Sequence, residues 1–158
     1  MKQPGNEQIE TFQKLQWLLS MLGSESEHED LTPMYWLYTF QTHDISNGDV
    51  WSKTVHLIYL CLKSHLIEIT PSKYLIGGGV EEFAKNLLNQ NPFDNEKHKN
   101  VSFWMDPSIV ATNYCAALVD QHKLTYGDDN VNINFISEIM FLFNGVQPNW
   151  LELVSSMK

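Results

Sequence analysis

Apolar residues recur along this chain at three- and four-residue steps, the period of a helix with one buried face. Ile9, Phe12, Leu15, Leu18, Leu19 and Leu22 form the first such stripe. Asn6 is placed to cap that helix and Gly23 to stop it. Ser24-Glu25-Ser26-Glu27-His28-Glu29-Asp30 has no apolar residue and reads as an acidic linker. Thr32-Pro33 is a cap followed by a Pro suited to a first helical turn, so the aromatic-rich Met34 to Thr42 is predicted helical. Asp49 after the Ser46-Asn47-Gly48 turn opens another helix, running to about His65. Its broad inner face holds Val50, Trp51, Thr54, Val55, Ile58, Cys61, Leu62 and His65, with Lys53, His56 and Lys63 opposite.

Leu66 to Ile69 suggests a brief extended piece. Gly77-Gly78-Gly79 then precedes a helix from Val80 to Gln90, with Phe83, Leu87 and Leu88 inward. Asn89 to Asn100 is polar and reads as a loop. Asp106-Pro107 repeats the cap-plus-Pro pattern and predicts a helix to about Lys123, with Ala111, Tyr114, Cys115, Leu118, Val119 and His122 on one face. Tyr126 to Asn130 is a turn. Ile133 to Asn144 is helical, stopped by Gly145, with Ile136, Ile139, Met140 and Phe143 inward. Pro148 opens a short last helix carrying Trp150, Leu151 and Val154. The pattern predicts an all-α protein: a single domain over residues 1–158, of six or seven helices and at most one short extended segment.

Length and composition fit that expectation. A chain of 158 residues, 43% apolar and 18% charged, can bury one ordinary core. No run of about 18 apolar residues is present and Met1 to Glu7 has no signal-type apolar stretch, so the expected home is the cytoplasm.

Charge narrows the function. There are 19 Asp and Glu against 10 basic residues, a net charge of −9, and every basic residue is Lys. Phosphate backbones repel such a surface, and without Arg there is no bidentate fork for guanine or phosphate. Nucleic acid is therefore not expected as a direct partner. The acids gather in linkers, turns and helix starts: Glu25, Glu27, Glu29, Asp30, Asp44, Asp49, Asp120, Asp128 and Asp129. Acids so placed can steer a cationic protein into contact, and they can equally serve solubility alone.

Candidate chemistry is sparse. Cys61 with His65, and Cys115 with His122, each share a predicted helix face. Two such helices packed together could offer zinc a tetrahedral site, or supply a Cys–His nucleophile. The tight spacings that mark zinc sites are missing, and the apolar neighbours of Cys115 disfavour a thiolate. Gly77 to Gly79 could cradle phosphate, but Glu81 and Glu82 occupy the first helical turn behind it. Asp128-Asp129 and Glu81-Glu82 are adjacent carboxylates whose side chains diverge, the usual form of solvated charge. Trp36 and Trp104 are candidate surface anchors among aromatics that otherwise fall at core spacings. No cofactor is implied.

In size, acidity, Lys and Asn bias, helical pattern and lack of a catalytic motif, the chain resembles the immunity proteins of bacterial contact-dependent toxin systems. That resemblance extends over the whole chain and rests on no shared motif. It implies a cytosolic inhibitor that binds one basic toxin, typically a nuclease domain, and covers its active site without turnover or cofactor. An adaptor or homo-oligomer, and a small Cys/His enzyme, are the alternatives.

Overall fold

The computed structural model describes residues 6–25, 31, 34, 48–75, 78–90, 107–125, 127 and 130–157. Among these, six α-helices and two strands follow one another along the chain. Helix α1 spans Asn6–Glu25 and α2 spans Gly48–Lys63. Strand β1 (Ile67–Thr70) and a 3-10 turn (Ser72–Leu75) lead into α3 (Gly79–Leu88). Strand β2 (Ser108–Ala111) precedes α4 (Asn113–Gln121), α5 (Ile133–Asn144) and α6 (Trp150–Ser155). The chain is mostly helical, as its period predicts, and carries one small antiparallel sheet in addition.

That sheet corrects the expectation of a helix opening at Asp106-Pro107. Ser108–Ala111 lies opposite β1, with Ile67 across from Ala111 and Ile69 across from Ile109. Ile109 and Val110 are β-branched, and their stiff side chains suit a pleated surface. Thr112 is the true start of α4. Its hydroxyl accepts from the Cys115 amide at 3.0 Å and donates to the His65 carbonyl. One side chain thus caps a helix and ties it to the turn before β1.

Further boundaries shift. Helix α1 runs through Gly23 to Glu25. A Cβ on Gly23 would meet Val119 Cγ2 at 2.9 Å, so this glycine sets a close approach of α1 and α4 and does not stop the helix. Helix α2 ends at Lys63, and His65 sits beyond it with φ 59°, exposed and off the inner face. At the other end, Asp49 lies in the first turn of α2, inside the helix it was expected to cap. Helix α6 starts at Trp150 behind an Asn149 cap, and its buried residue is Leu153. Beyond Met34, which is helical and buried, the predicted 34–42 helix lies outside the described residues, as does nearly all of the 89–100 loop.

The buried apolar residues join into one cluster drawn from every helix and both strands. Leu15, Leu19 and Leu22 come from α1, Val55, Ile58 and Cys61 from α2, Phe83 and Leu87 from α3. Cys115 and Val119 of α4, with Phe135 and Ile139 of α5, complete its far side. Polar ties sit within this packing. The Trp51 indole donates to the Leu87 carbonyl at 3.2 Å, joining α2 to α3. Buried Gln16 of α1 donates to the Asn130 carbonyl at 3.0 Å and accepts from the Asn132 amide at 2.7 Å. Those two bonds hold the chain just ahead of α5, where Asn132 caps the helix through the Phe135 amide. The Tyr59 hydroxyl reaches the Pro148 carbonyl, and Trp150 stacks on His56 at 4.7 Å, which docks α6 on α2.

Candidate interaction surface

Charge is the first feature to place. Asp49 is exposed at the start of α2, with Lys53 Nζ 3.5 Å from its carboxylate. Asp120 is exposed near the end of α4. Glu25 closes α1, its side chain outside the described set. Glu27, Glu29, Asp30, Asp44, Asp128 and Asp129 lie outside the described residues, and so do Trp36 and Trp104. The described residues hold ten carboxylates and six Lys, a net charge of −4. The other −5 is carried by residues beyond them.

Several described charges are spent on local pairs. Lys14 lies 3.6 Å from Glu10 one helical turn away. Lys63 donates to Glu81 at 2.6 Å across α2 and α3, and that hydrogen bond holds the Glu81 carboxyl below its ordinary value against the opposing effect of burial. Glu81 and Glu82 occupy the first turn of α3, directly behind Gly78 and Gly79. An anion at this turn would meet two carboxylates.

The Cys/His sets do not assemble. Cys61 and Cys115 are both buried free thiols. Burial pushes the Cys115 thiol up to about 12. Cys61 is pushed up further, by burial first and then by the nearby Cys115. Neither is a thiolate at neutral pH, the form that attacks or binds metal. His65 is exposed beyond α2. His122 is the C-cap of α4 and its side chain turns inward as expected, where Glu138 engages it, with Nε2 3.0 Å from Glu138 Oε1 and its ring edge-on to Phe135 at 5.6 Å. Among the described residues, no three His, Cys, Asp or Glu side chains group as a metal site.

The exposed apolar residues make a clearer feature. Tyr114 was expected inside and is 45% exposed; Phe141 is 79% exposed. Together with Ser137, Glu138 and Leu142 they line an open groove of about 320 Å³ between α4 and α5. Ile133, Ser137 and Phe141 are four residues apart and all exposed, so they run as a stripe along the outer face of α5. Leu151, on the first turn of α6, is 77% exposed.

No family model, curated protein or solved structure matches the chain.

The residues above therefore speak through their own chemistry. The stripe had a signal in the sequence: α5 carries Ile133, Phe141 and Leu142 besides its inward set of Phe135, Ile136 and Ile139, more apolar residues than one face holds. No helix among the described residues is long and apolar enough to cross a membrane.

Proposed function

We propose that this protein acts by binding, as a stoichiometric inhibitor of a basic protein in the manner of a bacterial immunity protein. Its target is a cationic toxin domain, with a nuclease the favoured kind, whose active site it covers. The observation that carries this reading is the charge: −9 on 158 residues, with no Arg to engage phosphate. A surface of that sign repels nucleic acid and attracts the proteins that bind nucleic acid. The placement of the thiols and imidazoles supports it from the other side. The two thiols are buried and protonated, and His122 is engaged by Glu138, so the residues best suited to a Cys/His enzyme are not poised for one. Binding requires no turnover and no cofactor, and the proposed compartment is the cytoplasm, where an inhibitor would meet an incoming toxin.

The test is capture of partners from the native cell on the immobilised chain, eluted by rising salt. The expected result is one basic protein in equimolar amount, released by salt, whose toxicity on expression alone is abolished by coexpression of this chain. An acidic partner, or a basic one whose activity is unchanged in the complex, overturns the reading.

A further inference from the structure

Resting on that reading of a basic partner, the structure points to where such a protein would insert its anchor. We propose that the groove between α4 and α5, lined by Tyr114, Phe141, Leu142 and Glu138, receives an apolar side chain flanked by Lys or Arg on a basic protein. Three observations converge on it. The lining is apolar and aromatic, with Tyr the kind of residue that anchors interfaces at low entropic cost. Phe141 is 79% exposed beside half-exposed Tyr114, and Ile133 continues the exposed stripe, so the apolar surface is contiguous, the form that marks interaction sites. The single ionised lining residue is a carboxylate, so the groove favours a cation beside the apolar group and disfavours an acid there.

The groove is also held in shape before anything enters. His122 contacts Glu138 through Nε2 at 3.0 Å and lies edge-on to Phe135, which ties the end of α4 to the middle of α5. Glu138 keeps a side-chain exposure of 42% while so engaged, leaving carboxylate surface for a cation. The α5 stripe extends the apolar track from Phe141 through Ser137 to Ile133, eight residues or about 12 Å of helix. A basic segment lying along α5 would meet apolar, small and carboxylate side chains in turn.

The probes are synthetic peptides with a central Phe between Lys residues, a counterpart with Gly for Phe, and a counterpart with Glu for Lys. The readout is the amide NMR spectrum of the full chain. The Phe–Lys peptide is expected to shift the amides of Tyr114, Ser137 and Phe141, and the two counterparts are not. Phe141→Ser is expected to weaken that peptide about tenfold or more. Glu138→Gln, which keeps an acceptor for His122, should weaken it about two- to fivefold. The exposed Phe141 should be replaceable without change in the melting curve, which separates lost binding from lost folding. Silence of these amides at millimolar peptide, or equal binding by Phe141→Ser, overturns the inference. So does line broadening at the groove that depends on protein concentration without peptide, because a second copy would then be the occupant. Polylysine separates the two levels. If it shifts amides elsewhere on the chain while the groove stays silent to the Phe–Lys peptide, the groove is wrong and the basic partner stands; silence to both removes the basic partner as well.

Discussion

Gly23 shows how far a single residue can depart from its local signal. In sequence it sits where a helix stop is expected, after an apolar stripe and before an acidic run. In the fold it lies inside the last turn of α1, with Val119 pressed against the space a side chain would need. Gly23→Ala would gain at most about 1 kcal/mol in helix propensity. It would also force buried Val119 to move, at about 1–3 kcal/mol. Net destabilisation by about 1 kcal/mol is expected in urea unfolding, and Val119→Ala should make the second substitution nearly harmless. The approach joins residues far apart in sequence, so nothing local announces it. His56 is the residue for a pH measurement. Burial lowers its affinity for a proton below that of an unfolded chain, whose value is 6.5. As pH falls through 6.5 the unfolded state takes up the proton first, so stability falls on the acid side. Glu81 acts in a lower window. Its lowered value makes its contribution full above 4.5 and lost as pH drops below it. Urea midpoints compared at successive pH values should show both slopes, the first flattened by His56→Phe and the second by Lys63→Met.

At the scale of elements, period and caps carried most of the reading. Helices α2, α3 and α5 begin and end within about two residues of where their apolar stripes and turn residues place them. The extended piece after Leu66 was legible too, because Ile67-Glu68-Ile69 alternates. Its partner strand was not. Asp106-Pro107 imitates a helix start, and a strand of four residues has no period long enough to contradict it. Ile109-Val110 followed by Thr112 was the available signal: two β-branched residues, then a hydroxyl fit to cap the helix that does follow. Tyr114 moved outward for the same reason, since a helix start at Asn113 leaves it in the exposed first turn, whereas His122 keeps its inward placement against Phe135. The junction of α1 with α5 offers a direct stability test. Gln16 is buried and satisfies a carbonyl and an amide ahead of α5. Gln16→Leu should cost about 2–3 kcal/mol by stranding both backbone groups. Asn132→Ala, which removes the cap from the Phe135 amide, should cost about 1 kcal/mol.

Over the whole molecule, the balance of charge carries the functional proposal. The described residues hold ten carboxylates against six Lys, with Lys14, Lys53 and Lys63 each close to a carboxylate. The rest of the excess belongs to other segments, including residues 26–30 of the acidic linker and the 128–129 turn that sequence singled out. The candidate contacts were thus legible as charge, whereas the exposed groove was legible only as a surplus of apolar residues on α5. Its location needed the packing of α4 against α5. The thiols give a simple whole-protein check on the alternative of a Cys/His enzyme. Cys61 and Cys115 are expected to resist iodoacetamide in the folded protein and to react once urea unfolds it; rapid alkylation of the native chain would reopen that chemistry. The most direct measurement is titration calorimetry of this chain against the basic protein recovered with it from the native cell, at low and at high salt. The expected result is one-to-one binding that weakens with salt and when Glu27, Glu29 and Asp30 are reversed to Lys. Binding indifferent to salt and to those reversals, or no binding, would contradict the account.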